Sequence, residues 1–430
     1  MIDRREYIEK LNSKKWNGLV KIITGIRRCG KSVLLFDLFY NCLLNEGVDP
    51  KNIIKIKLDE RSDMRFRNPN TLCDYVRDFL KDRDTEKFYV FIDEVQLIEK
   101  VKVEGIEAKI GLYEVLNELN GYDNLDVYVT GSNSKMLSSD IQTEFRGRGD
   151  EIRVHPLSYK EFYESFTGDK HNAWEIYSTF GGMPYLTALK SDEEKSEYLK
   201  KLLDKVYISD VIERNKVRKD SLVLGELLDI LASSVGSLTS PTKLSNTFNS
   251  VAKEKISPGT LSHYLEYFAD SFMVSKARRY DIKGKAYIDS PAKYYFEDIG
   301  LRNARLGFKE RDVTHIMESV IYNEMILSGF NVDVGILEHY HRDSAGKVQR
   351  SYLEVDFVCN LGSARYYIQS AYSLPDEAKR TQEIRPFRKI DDSFKKIVIT
   401  KDIVQPYYDE YGILTINIYD FLLNPECLQG

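Results

Sequence analysis

Eight residues, Gly25-Ile26-Arg27-Arg28-Cys29-Gly30-Lys31-Ser32, fit the pattern GxxxxGK[ST] and lie between a β-branched run, Leu19 to Thr24, and an amphipathic stretch, Lys31 to Leu44. That placement demands a strand, a tight loop and a helix in succession, because the pattern binds phosphate only when loop N–H groups turn inward beside a helix N-terminus. The glycines permit the turn. Lys31 brings a cation to β/γ-phosphate oxygens and Ser32 an oxygen to Mg²⁺. Gly25, Ile26, Arg27, Arg28, Cys29, Gly30, Lys31, Ser32 and Val33 are therefore the expected nucleotide-binding loop, with ATP and Mg²⁺ as its cofactors. A chance glycine-lysine turn is the alternative, and the flanking strand and helix count against it.

The rest of the first third alternates in the same way, which predicts an α/β fold with a parallel sheet and helices on both faces. Strands are expected at Ile53 to Leu58, Phe88 to Ile92 and Leu125 to Thr130, and helices at Leu72 to Leu80 and Leu112 to Leu119. The strand Phe88-Tyr89-Val90-Phe91-Ile92 ends in two carboxylates. Asp93 is the expected Mg²⁺ partner of Ser32. Glu94 is the expected general base, a carboxylate that polarises a water beside the γ-phosphate. An acidic turn without chemistry is the bland alternative. The next strand runs into Gly131-Ser132-Asn133-Ser134, where Ser132 or Asn133 could sense the γ-phosphate at the strand's C-terminal end; Ser134 reads equally as a helix N-cap. An arginine can supply the charge that hydrolysis needs, in cis or from a neighbouring subunit. Arg148 is the first candidate, with Arg146, Arg27 and Arg28 behind it, and an ordinary surface ion pair is the alternative.

With 430 residues and 42% hydrophobic content there is apolar mass for several cores. A net charge of −5 excludes a chain coated in cations for polyanion binding, so any nucleic-acid contact must be local. Five cysteines, odd in number, scattered and without a CxxC pair, point away from a disulfide framework and from structural zinc. MIDRREYIEK lacks the apolar core of a signal peptide, and no window is long enough to span a membrane, which predicts a cytoplasmic protein without membrane contact.

From His155 helical periodicity takes over, broken by Gly181-Gly182-Met183-Pro184. Residues 166–220 read as a helical connector. Residues 221–304 read as three helices and a hairpin, the order of a winged helix. Its third helix, Ser257 to Phe268, offers mainly Thr260, Ser262 and His263 to a groove. The wing carries Lys276, Arg278, Arg279, Lys283 and Lys285 with Tyr280 and Tyr287, which suits phosphate contact and stacking on DNA. A protein-docking or purely structural winged helix is the rival. Residues 305–430 read as a separate, small α/β unit.

GIRRCGKS, FIDEVQ, VYVTGSNSKMLSS, FRGRGDEI, HPLSYKEF, GGMP, RRYDIKGK and EVDFVC closely resemble, in order and over nearly the whole chain, the prokaryotic family of predicted AAA-type P-loop ATPases that carry a C-terminal domain of unknown function. The resemblance implies an AAA-like ATPase core over residues 1–165, a winged helix and a C-terminal domain similar to PD-(D/E)xK nucleases. It implies phosphate contacts at Gly25, Gly30, Lys31 and Ser32, metal at Asp93, hydrolysis at Glu94, sensing near Asn133 and an arginine at Arg148. The C-terminal domain departs from a working nuclease. Asp356 and Glu318 are present, but the strand that should supply Glu-x-Lys reads Gln369-Ser370-Ala371, which lacks the second carboxylate and the ammonium. That predicts a degenerate, non-cutting module. The functional expectation is a Mg²⁺-dependent ATPase, turning ATP to ADP and phosphate, that repositions the last two domains on DNA. A nucleotide-gated protein-interaction scaffold and an ATP-regulated nuclease are the rivals, and a homo-oligomer is compatible with the pattern.

Overall fold

In the computed structural model, residues 2–102, 108–131, 147–208, 211–212, 215, 217, 221–251, 255–309, 312–342, 347–402 and 404–428 are described. The chain forms two compact units, Met1–Pro156 with Asp270–Phe272, and Leu157–Ala269 with Met273–Gly430.

The first unit is built on five parallel strands, β1 (Val20–Thr24), β2 (Ile53–Lys57), β3 (Phe88–Asp93), β6 (Leu125–Thr130) and β7 (Gly149–Arg153), in the order β2-β3-β6-β1-β7. A short antiparallel ribbon, β4 (Val101–Lys102) and β5 (Lys109–Ile110), stands apart from it. The central strands are buried on both faces, which is why they read as unbroken apolar runs. Alternate side chains divide the work. Val90, Ile92, Val127 and Val129 pack with Leu72, Val76 and Leu80 of the helix Pro69–Leu80 and with Leu116 and Leu119 of the helix Leu112–Leu119. Phe91 and Tyr128 face the other way, onto Phe39, with ring centroids 5.9 and 5.0 Å away. Phe39 belongs to the helical run that begins at Lys31 and continues through a π-type stretch, Leu34–Phe39, to Asn45. One buried charge pair crosses this layer: Lys21 meets Asp126, which also accepts from the Tyr128 hydroxyl at 2.9 Å and the Trp16 N–H at 3.1 Å. Those extra donors satisfy a carboxylate that would be costly to bury alone.

The strand β7 was not foreseen. Its sequence, GDEIR, is charged because as an edge strand it buries only Ile152 fully.

The second unit contains an eight-stranded sheet made of β8 (Val274–Asp281), β9 (Ala286–Phe296), β10 (Asn331–Arg342), β11 (Val348–Leu361), β12 (Ala364–Ala371), β13 (Lys395–Thr400), β14 (Tyr407–Tyr408) and β15 (Leu414–Asn417). Its order is β14-β15-β13-β12-β11-β10-β8-β9. The helices Ser221–Ser233, Pro241–Val251 and Pro258–Asp270 precede the β8–β9 hairpin, and Thr239 bridges to Ala292 through two backbone hydrogen bonds of 2.8 and 2.9 Å. The hairpin does not end a self-contained domain. β8 pairs in parallel with β10 at Arg279–Val334, Tyr280–Gly335 and Asp281–Ile336, so residues expected to fall in two separate domains share one sheet. An isolated hairpin would leave an edge unpaired, and β10 covers it.

The GGMP break has a structural cause. Phe180 ends the helix Lys170–Phe180, and Gly182 donates its N–H to Asp298 Oδ2 at 2.7 Å. A Cβ on Gly181 would lie 2.2 Å from Asp298 Oδ1, and one on Gly300 would lie 1.8 Å from the Phe180 carbonyl oxygen, so both backbones meet where only glycine fits. Among the described residues no helix is long and apolar enough to cross a membrane.

Candidate functional site

The loop after β1 turns where its glycines allow. Gly25 has φ 136° and Gly30 φ 99°, and a Cβ on Gly25 would lie 2.0 Å from the Val154 carbonyl oxygen. Arg28 also sits at positive φ, 65°, with Arg27 and Arg28 both exposed. Cys29 is buried and donates its thiol to the Val154 carbonyl at 3.2 Å, which ties the loop to the segment leaving β7. Ile26 is buried, Ser32 partly buried and Val33 exposed. The Lys31 ammonium is folded over the loop, donating to the carbonyls of Gly25 at 2.9 Å and Ile26 at 3.1 Å. A cation on its own loop is what an anion seated there would find waiting.

Sheet order brings the acidic pair to the same edge. β6 lies between β1 and β3, with Ile23 opposite Thr130 and Val129 opposite Ile92, so the loop, Thr130 and Asp93 all stand at strand C-termini. The Thr130 hydroxyl donates to Asp93 Oδ1 and accepts from the Glu94 N–H at 3.2 Å. Asp93 is 4% exposed and Glu94 partly exposed. Glu94 has φ 54° and ψ 49°, a left-handed conformation that costs an L-residue about 1–2 kcal/mol and persists where neighbours hold it. Gln96 supplies one such hold, donating its side-chain N–H to Glu94 Oε2.

Thr130, Gln96 and Arg4 were not read as site residues. Thr130 carried the available signal, since it ends the strand beside the acidic one. Gln96 stood within FIDEVQ. Nothing in the sequence pointed to Arg4, which is 5% exposed and donates to the carbonyls of Cys29 at 3.4 Å and His155 at 2.9 Å, bracing the loop from the N-terminal segment.

Arg148 is not brought to this edge. β7 runs parallel to β1 with Gly149 opposite Val20, and the Val20 N–H donates to the Arg148 carbonyl at 3.0 Å. The guanidinium donates to Asn117 Oδ1 at 2.8 Å. The length of β1 separates it from the loop, roughly 17 Å at about 3.3 Å per residue. Of the roles left open for Arg148, in cis, from a neighbouring subunit or as an ordinary surface contact, this placement does not bring it to its own chain's loop. Asn133, Ser132, Ser134 and Arg146 lie outside the described residues.

The wing residues stand on β8, β9 and their turn. Lys276, Arg278, Lys283 and Lys285 are exposed and Arg279 is half-buried. Arg278 lies 4.3 Å over the Tyr287 ring and 3.9 Å from Asp289, and Arg279 donates to the Ser290 carbonyl at 3.1 Å. On the helix Pro258–Asp270, His263 is 3.4 Å from Glu266.

Residues 17–163 match the AAA domain family, and residues 171–312 match a domain of unknown function, DUF8612. An uncharacterized protein of Haemophilus influenzae is 31% identical over 98% of this chain and 99% of its own length. The chain belongs to that family of AAA-domain proteins with a following domain of unknown function. An uncharacterized protein of Methanocaldococcus jannaschii is 27% identical over 93% of this chain and 85% of its own length. Among solved structures, the Walker-type ATPase of Pyrococcus abyssi is 18% identical over 71% of this chain and 96% of its own, with a TM-score of 0.47. The Orc1 protein of Aeropyrum pernix, solved in complex with DNA, is 9% identical over 71% of this chain and 93% of its own, with a TM-score of 0.29. As an AAA-family chain with a five-stranded parallel sheet, the protein carries an ATPase-type core followed by a sheet-containing C-terminal region.

Proposed function

We propose that the chain binds ATP with Mg²⁺ and hydrolyses it to ADP and phosphate, and that the nucleotide state controls what the second unit contacts. The observation that carries this reading is the Thr130 hydroxyl bridging Asp93 and the Glu94 backbone on the edge where the glycine loop ends. Lys31 and the loop N–H groups would hold the phosphates. A hydroxyl and a carboxylate, Ser32 and Asp93, are the hard oxygen donors that Mg²⁺ takes. An ion held by Ser32 and Asp93 would supply positive charge to the phosphate oxygens. Glu94 would orient and deprotonate the attacking water, with Thr130 and Gln96 fixing its backbone and carboxylate. Arg148, at the far edge, can serve a phosphate only in another copy of the chain, which would make a homo-oligomer the active form. Lys31→Ala should abolish detectable binding of a fluorescent ATP analogue and with it Mg²⁺-dependent phosphate release; turnover that survives the substitution would remove the loop from the account.

The second unit we read as a winged helix on a nuclease-like sheet that contacts DNA through the wing, by phosphates and with little sequence preference. A specific observation keeps a protein-interaction scaffold beside it. Arg278 and Arg279 already have partners within their own hairpin, and the helix Pro258–Asp270 presents His263 against Glu266 where a groove reader would present cations. ATP turnover measured with and without duplex and single-stranded DNA separates the two readings, since only the DNA reading predicts stimulation that high salt removes.

A further inference from the structure

Lys293, on β9, is 2% exposed although it carries an ammonium. Its Nζ lies 2.9 Å from Glu318 Oε1, on the helix Val313–Leu327, and 2.7 Å from Glu354 Oε1, on β11. Tyr295, on the same strand as Lys293, donates its hydroxyl to that Glu318 oxygen at 2.6 Å. Asp356 completes the group: it is 8% exposed, and its Oδ2 accepts from the Ser370 N–H at 2.8 Å. Burial, then the Glu318 charge, push the Asp356 carboxyl well up toward its neutral form. Burial works against the Lys293 ammonium, but Glu318, Asp356 and Glu354 override it and raise its pKa. Lys293 is thus the ammonium that two carboxylates, Glu318 and Glu354, share, beside an Asp356 carboxyl that burial pushes toward its neutral form.

We propose that Lys293 is the resident cation of this carboxylate cluster, so that the sheet takes no divalent metal there and is instead pinned by an internal ion cluster joining β9, the helix Val313–Leu327 and β11. A divalent ion would need the Glu318 and Glu354 oxygens at about 2.1 Å, and the ammonium already sits between them. The neighbouring strand adds no charged ligand: Gln369 accepts from the Asp356 N–H with Oε1 at 3.5 Å and points its amide N–H toward Glu383 Oε2 at 3.4 Å, and the Ala371 side chain has no polar atom. Among the described residues no group of three or more His, Cys, Asp or Glu side chains is arranged to hold a metal ion. The ammonium missing from the Gln369-Ser370-Ala371 strand is thus supplied from another element, where it neutralises the carboxylates and leaves no room for a metal. This inference is independent of the ATPase reading.

Thermal unfolding of the full chain without nucleotide, in EDTA and in a few millimolar Mn²⁺, tests it. The cluster should contribute nothing to the parent's response to Mn²⁺, so Glu318→Gln should leave any Mn²⁺-induced shift of the midpoint unchanged. Lys293→Met should lower the midpoint in EDTA by roughly 5–10 °C, because the buried Glu318 and the half-buried Glu354 carboxylates lose their cation. Mn²⁺ should return part of that loss, and Lys293→Met/Glu318→Gln should no longer respond. If Lys293→Met fails to fold in EDTA, the folded fraction by circular dichroism after refolding in Mn²⁺ against EDTA gives the same readout. Two results overturn the proposal. One is a Mn²⁺-dependent midpoint in the parent that Glu318→Gln or Asp356→Asn removes, which would make this a metal site with Lys293 in place. The other is a Lys293→Met chain that is either as stable as the parent in EDTA or folds no better with Mn²⁺ than without it.

Discussion

The Thr130 hydroxyl donates to Asp93 and accepts from the Glu94 N–H, so removing it disturbs together the carboxylate proposed for the metal and the residue proposed to orient water. Thr130→Val keeps the shape of the side chain and should lower kcat for ATP roughly tenfold with KM changed little, since the positioning matters in the transition state more than in the bound state. Thr130→Ser should keep most of the rate. Equal rates in the parent and the valine variant would show that Glu94 is held by Gln96 alone. At this scale the sequence was informative where chemistry is spelled by consecutive residues, as in Gly25 to Ser32 and Asp93-Glu94. It was mute where a side chain from afar completes the geometry. Arg4 reaches the Cys29 carbonyl, and Lys293 reaches Glu318 and Glu354, by folding alone.

Among the elements, the helix Ile299–Arg305 begins at Asp298, whose carboxylate accepts from Gly182 at 2.7 Å and Leu301 at 3.1 Å. Burial nevertheless pushes this carboxyl up to about 6 from 3.8, against those hydrogen bonds. A carboxyl raised in the folded state contributes stability while protonated; the contribution is fully present below about 3.8 and is lost as pH rises through about 6. Asp298→Asn cannot ionise. Relative to the parent it should therefore gain stability between about pH 4.5 and pH 7.5, by about 2 kcal/mol, read from urea midpoints at the two values. A stability difference that is flat across this range would place the Asp298 titration at its ordinary value. The strands and helices of the first unit were legible because both faces of β3 and β6 are buried, leaving long apolar runs. β7 was not, because an edge strand with one fully buried residue has no such run. The glycines of GGMP announced a break, but the partner that requires them, Asp298, lies more than a hundred residues on and has no local signature.

For the molecule as a whole, the winged segment was read as a closed domain because pairing between β8 and β10 joins residues far apart in sequence, which no local pattern encodes. The wing's contribution to DNA contact can be tested without disturbing that pairing. Arg278 and Arg279 have partners inside the hairpin, so Lys276, Lys283 and Lys285, all exposed, are the residues to replace. Changing the three to Ala should weaken binding by a similar factor for unrelated DNA sequences and flatten the salt dependence by about one unit of slope per lost phosphate contact. Affinity that survives intact would pass the surface to a protein partner. The central claim concerns Glu94, and ATP binding and turnover measured side by side in Glu94→Gln address it most directly. Gln96 can donate to the amide oxygen as it does to the carboxylate, and Thr130 still holds the backbone N–H, so ATP affinity should stay within a few-fold of the parent while turnover falls roughly 10²–10³-fold, the loss expected when a general base is removed. Turnover equal to the parent's at unchanged affinity would contradict the account.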